Sequence, residues 1–147
     1  MNKIALVTGC SSGIGLSTSI ELAKNGYIVF AGLRDLSKKD ALVAEATKEN
    51  VSVNPIQLDI SDDNSVKNVI SEIKTKHERL DVLVNNAGYG YFGSAESTSI
   101  EEFKDQFDTD FFGALRMIQH TLPIMREQES GHIINISSIA GFMGLPV

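Results

Sequence analysis

Short apolar runs alternate with helical periods along this chain. Ile4-Ala5-Leu6-Val7 is a compact β-rich run, and residues 16–25 read as a helix closed by Gly26. Residues 27–33 form a second apolar run. Residues 37–49 are helix-like, with Leu42, Val43 and Ala46 on one side. A third strand is expected over 51–58, where Pro55 favours a place near a sheet edge. Ser61-Asp62-Asp63 can cap a helix whose Val66, Val69, Ile70 and Ile73 recur at helical spacing. Residues 81–84 make a fourth strand, leading into Asn85-Asn86-Ala87-Gly88. The spacing then predicts one long helix over 100–127. Its stripe of Phe103, Phe107, Phe111, Leu115, Ile118 and Leu122 reads as core. A fifth strand, 131–137, carries Ile133, Ile134 and Ile136.

Strands separated by helices imply βαβ units, a parallel sheet and right-handed crossovers. The apolar runs suggest strands covered on both faces. The expected fold class is therefore α/β, a doubly wound parallel (Rossmann) sheet with five strands in the order 3-2-1-4-5. No internal repeat or linker divides the chain, so residues 1–147 read as one domain. In such a sheet a ligand sits beyond the carboxyl ends of the strands, where the strand order reverses.

The first strand is followed there by Thr8-Gly9-Cys10-Ser11-Ser12-Gly13-Ile14-Gly15. A strand, a glycine-rich turn and a helix start make a phosphate site, because helix-start N–H groups and the macrodipole both attract an anion. Gly9 suits the tight turn, Gly13 the close approach of a pyrophosphate, and Gly15 the packing of helix on strand. Ser11 and Ser12 can add hydroxyl donors. The spacing is G-x-x-x-G-x-G, and it lacks the Gly-Lys-Ser/Thr ending of a P-loop. A flexible turn without a ligand is the plain alternative.

Composition narrows the partners. The formal net charge is −6, which disfavours nucleic acid and anionic membranes as partners. No segment of the sequence is long and apolar enough to span a bilayer. A single cysteine, Cys10, allows no internal disulfide and fits a reducing cytoplasm. Cys10 reads as a small space-filling residue, with a helix-lowered thiol as the alternative. His77, His120 and His132 are too scattered for a metal site.

On these residues the chain resembles the short-chain dehydrogenase/reductase family over almost its whole length. Thr8, Gly9, Gly13, Ile14 and Gly15 match the family's glycine motif, and Asn85, Asn86, Ala87 and Gly88 match its Asn-Asn-Ala-Gly turn. Asp59, with Ile60 beside it, matches the acidic residue that meets the adenine. Ser138 matches the catalytic serine. The resemblance implies hydride transfer between a nicotinamide and an alcohol or carbonyl compound. The loop over 88–93, with Tyr89, Tyr91 and Phe92, resembles the steroid- and retinol-handling branch, where such aromatics can line an apolar pocket.

Two departures qualify that implication. Asp110 stands where the family usually carries a catalytic asparagine, and an ionised carboxylate accepts hydrogen bonds but donates none. It can still hold a relay water, be protonated by burial, mark weakened catalysis, or simply meet solvent or a helix neighbour. The family's Tyr-x-x-x-Lys pair is also missing, since residues 139–147 contain neither Tyr nor Lys. Hydride transfer needs a proton partner within hydrogen-bond reach, and Ser138 alone is a poor one. With the apolar tail of Phe142, Met143, Leu145 and Val147, this favours an incomplete chain, inactive by itself, that lacks the C-terminal part of the fold. In a full-length form a homo-oligomer is compatible with the long helix.

Cofactor choice turns on the end of the second strand, where an acid would hold a ribose 2′-hydroxyl and an arginine a 2′-phosphate. Leu33 and Arg34 stand there, favouring NADP. Asp35 leaves NAD open unless it caps the following helix. Two readings of other classes remain. One is a non-catalytic dinucleotide-binding or sensor module. The other is a methyltransferase, which would want an acid at Leu33.

Overall fold

The computed structural model describes residues 2–141 and 143. Five strands, β1 (Ile4–Thr8), β2 (Ile28–Leu33), β3 (Asn54–Gln57), β4 (Val82–Asn85) and β5 (His132–Asn135), form one sheet in the order β3-β2-β1-β4-β5. Every pair is parallel, with Leu6 opposite Phe30 and Leu83, and Val84 opposite Ile134. Helices α1 (Gly13–Lys24), α2 (Asp40–Lys48), α3 (Asp63–His77), α4 (Ile100–Phe107) and α5 (Ala114–Glu127) supply the crossovers.

Alternate side chains of the inner strands leave on opposite faces, so the sheet has two cores. Ile4, Leu6, Phe30 and Leu83 meet Val66, Val69, Ile70 and Ile73 of α3 and Met117 and Ile124 of α5. Ala5, Val7, Val29, Ala31, Val82 and Val84 meet Ile20 of α1 and Leu42 and Ala46 of α2. Pro55 lies in β3, an edge strand, where a missing donor costs nothing on the open side. Val43, expected beside Leu42 and Ala46, instead faces solvent, because α2 is amphipathic over a narrower arc.

The long helix departs most from expectation. Its ends match, but a π turn (Asp108–Gly113) separates α4 from α5. No residue of α4 is buried. Phe103, Phe107, Phe111 and Leu115 are exposed, so this part of the stripe is surface and not core. The helix reaches the sheet only from Gly113 onward, where Gly113, Met117, Thr121, Ile124 and Met125 turn inward. Periodicity identifies an apolar face but not whether the sheet extends far enough to cover it. β5 is shorter than expected, and Ile134 and Ile136 on this edge are exposed. Phe142, Leu145 and Val147 of the apolar tail lie outside the described residues, while Met143 is exposed.

At the amino end of the strands, the Asp81 carboxylate accepts from the Ile4 N–H at 2.7 Å and from the Nε and Nη2 groups of Arg79. Burial pushes its pKa up, but the bonds from Arg79 and Ile4 outweigh this and hold it below the usual carboxylate value. The unfolded chain therefore binds this proton more readily than the folded one. The resulting stability is complete above roughly pH 4, the unfolded value, and is lost as pH falls through the lower folded value. Asp81→Asn is expected to lower stability at pH 7 and to flatten its decline below about pH 4. Urea denaturation of both chains from pH 7 down to 3 would show an unchanged acid slope if the pair contributes nothing.

Candidate functional site

Two loops meet above the carboxyl ends of β1 and β4, and Thr8 joins them. Its Oγ1 accepts from the N–H groups of Asn86 and Ala87 at 3.0 and 2.9 Å and donates to the Val84 carbonyl at 3.4 Å. The Asn86 Nδ2 group answers by donating to the carbonyls of Thr8 and Gly9 at 2.9 and 3.2 Å. Thr8 is buried, so this expected cofactor residue acts on the turns and is not part of the cleft lining.

The glycines fit tightly into this arrangement. Gly9 has φ +72°, and a Cβ there would lie 2.7 Å from the Ala87 Cα. A Cβ on Gly15 would collide with both the Gly9 carbonyl oxygen and the Asn86 Nδ2. Gly13 differs: at φ +59° nothing lies within 4 Å of its would-be Cβ, so its outer side is open to a ligand. Ser12, the N-cap of α1, makes no side-chain bond to the first turn, and that turn holds no acid. By contrast α3 is capped by Asp62 and α4 by Ser99 in a capping box.

A cleft of about 390 Å³ opens here, lined by Gly9, Ser11, Ser12, Ile14, Leu33, Arg34, Leu58, Asp59, Ile60, Asn86, Ala87, Gly88, Tyr89 and Thr109. Residues from five separate stretches of sequence thus share one wall system. Asp59 is fixed by accepting from the Ser61 N–H and hydroxyl at 2.9 and 2.6 Å. Asp35 does not line the cleft; its carboxylate accepts from the Ser37 N–H at 2.9 Å and caps a short 3₁₀ turn. The bonds from Ser37 hold its pKa below the ordinary carboxylate value. Leu58 and Thr109 were not expected in the lining. Leu58 reads as an ordinary strand residue, and Thr109 enters through the π turn, which hydrophobic periodicity does not reveal.

Below the turn, Cys10 is fully buried, and its Sγ lies 3.1 Å from the Val7 carbonyl and 3.2 Å from the Ser19 hydroxyl. Burial pushes its thiol up to about 11, against lesser lowering by Ser19 and the Gly32 backbone. This is a packed thiol and not an activated one.

Asp110 and Ser138 are not brought together by any hydrogen bond among the described residues. The Asp110 Oδ1 accepts from the Tyr89 N–H at 3.0 Å, and its Oδ2 lies 3.4 Å from the Gln106 amide nitrogen. The Gln106 Oε1 in turn accepts from the Tyr91 N–H at 3.3 Å. One helix face therefore holds alternate residues of the aromatic loop, where the Tyr89 and Tyr91 rings meet edge to face. Ser138 is exposed beyond β5, its Oγ accepting from the Ala140 N–H at 3.2 Å.

Comparison with known proteins agrees with this geometry. Residues 3–147 match the family model described as short chain dehydrogenase. The chain is 43% identical to human retinol dehydrogenase 8, over 97% of this chain and 46% of that protein. It is 39% identical to the 3-ketodihydrosphingosine reductase of Bacteroides thetaiotaomicron, over 98% of this chain and 50% of that one. A metagenomic short-chain oxidoreductase solved in complex with NADP superposes with a TM-score of 0.88 at 32% identity, over 99% of this chain and 65% of that one. The chain spans about half the length of the curated relatives it matches. The methyltransferase reading falls away, and the chain belongs to the short-chain dehydrogenase family.

Proposed function

We propose that these residues form the dinucleotide-binding part of an NADP-dependent oxidoreductase that interconverts an alcohol and a carbonyl compound. The observation that carries this reading is the convergence of the open Gly13 turn, the uncapped α1 start, Asp59–Ile60 and Arg34 on one cleft. In this reading the first-turn N–H groups of α1, with Ser11 and Ser12, hold the pyrophosphate. Asp59 and Ile60 border the adenine, and Asn86, Ala87 and Gly88 lead to the nicotinamide side. Arg34 takes the 2′-phosphate, since Leu33 offers a ribose no acceptor and Asp35 is occupied as a cap. When bound, the nicotinamide supplies the hydride donor or acceptor. Ser138 would orient the substrate oxygen, and Asp110 would fix the loop that carries Tyr89.

The aromatic loop supports an apolar alcohol as substrate, in keeping with the retinol in the human relative's name. The exposed apolar face of α4 supports a homo-oligomer. A lone packed thiol supports a cytoplasmic location, and among the described residues no helix is long and apolar enough to cross a membrane.

The test is titration with NADPH and NADH, followed by the fluorescence of the reduced nicotinamide. NADPH is expected to bind more tightly. Arg34→Ala is expected to weaken NADPH about tenfold or more, the loss of a charge-assisted bond, while NADH changes little. Equal binding of the two by the unaltered chain would overturn the NADP assignment, and binding of neither would overturn the whole reading.

A second reading, binding without turnover by these 147 residues, is favoured by one observation: among the described residues the Ser138 Oγ bonds only within its own turn, and residues 139–147 contain neither Tyr nor Lys. NADPH binding without oxidation in the presence of retinaldehyde supports it, and turnover refutes it.

A further inference from the structure

Arg116 lies outside the cleft lining and outside every motif described above, yet its guanidinium joins two of the cleft's walls. Its Nη1 donates to the Ile60 carbonyl at 3.2 Å and to the Asp108 carbonyl at 3.3 Å, and its Nη2 donates to the Asp108 Oδ1 at 2.6 Å. Ile60 belongs to the cleft lining, and so does Thr109, the next residue after Asp108. The Ile60 side chain also rests on Gly113, where an added Cβ would lie 2.6 Å from its Cδ1. Ile60 is thus held twice against the π turn, through its side chain by Gly113 and through its carbonyl by Arg116.

The chemistry suits a clamp. A planar fork with five donors can serve three acceptors at fixed angles, which an ammonium on a flexible stem does poorly. The Arg116 side chain is only 24% exposed, so these bonds are partly shielded from water. A π turn is a rare departure from α geometry that tends to occur at functional places. Here Arg116 supplies a donor to a carbonyl at its start.

We propose that Arg116 is a positioning residue for the dinucleotide, locking the Ile60 turn to the π turn so that Ile60 and Thr109 are presented to the cleft in fixed register. The proposal rests on the dinucleotide reading above. It assigns Arg116 no contact with the cofactor.

The experiment is titration of the ¹⁵N-labelled chain with NADPH, following amide shifts at Gly13 and Gly15 and separately at Asp59 and Ile60. Arg116→Met keeps the apolar stem and removes every donor. It is expected to raise Kd about tenfold. At saturation the shifts at Gly13 and Gly15 should persist, while those at Asp59 and Ile60 fall by more than half. A merely structural residue would reduce both sets together, so a uniform loss, or no loss at Asp59 and Ile60, overturns the proposal. If Arg116→Met does not fold, Asp108→Asn takes its place. It weakens the clamp through its charge and should give the same selective pattern at smaller size, with a uniform pattern again overturning the proposal. An unaltered chain that shows no shifts at either place overturns the dinucleotide reading itself, a result distinct from the failure of Arg116.

Discussion

Replacing Gly9 by alanine is expected to lower the stability of the chain by about 2–5 kcal/mol and to abolish measurable NADPH binding. Two costs combine. The left-handed backbone at φ +72° penalises a Cβ by about 1–2 kcal/mol. The new methyl would also stand 2.7 Å from the Ala87 Cα, a backbone atom tied to Thr8, and overpacking of this kind costs about 1–3 kcal/mol. Gly13→Ala is the informative companion. Its backbone is equally left-handed, but nothing lies within 4 Å, so only the first cost applies. Gly13→Ala should therefore lose about 1–2 kcal/mol of stability while still impairing NADPH binding, because its methyl would occupy the ligand's approach. Urea denaturation of the two variants separates them, and equal losses would mean that the Gly9–Ala87 contact does not matter.

Thr8→Val is expected to be nearly as damaging without changing the shape of the core. The hydroxyl is the shared acceptor of two main-chain N–H groups, and valine offers neither of them a partner. A buried donor left unmade costs about 1–3 kcal/mol, so the pair gives about 2–6 kcal/mol. Asn86 and Ala87 are only half-buried, which sets the expectation in the lower part of that range. Thr8→Ser keeps the oxygen and should lose much less. Hydrogen exchange at the Asn86 and Ala87 amides gives the direct measurement. It should quicken in Thr8→Val and stay slow in Thr8→Ser, and unchanged exchange in both would remove Thr8 from its joining role.

The sheet was legible in the sequence because its central strands are nearly continuous apolar runs, and such runs fit strands with helices on both faces. The glycine turn was legible because its chemistry is local. Residues 9–15 carry their own geometry, and what they needed from elsewhere was one Asn-Ala pair on the next loop. The outer face of α4 was misread for a physical reason: an apolar stripe at helical spacing does not say what lies opposite it. Thr109 and Arg116 were missed because both act through the π turn, where the spacing of side chains no longer follows the helical period. Asp110 and Ser138 were found as positions, but their partners here, Tyr89 and Ala140, follow from how loops pack and not from any motif.

Cys10 sits beneath the glycine-rich turn as the chain's sole cysteine, fully buried, with its thiol pushed up to about 11. Alkylating reagents capture the thiolate form, which at neutral pH is scarce in this buried position. Capture by iodoacetamide must therefore wait for the turn to lift from the sheet. The site thus carries its own stopwatch: the labelling time course counts openings of the turn, and any ligand that pins it shut slows the clock.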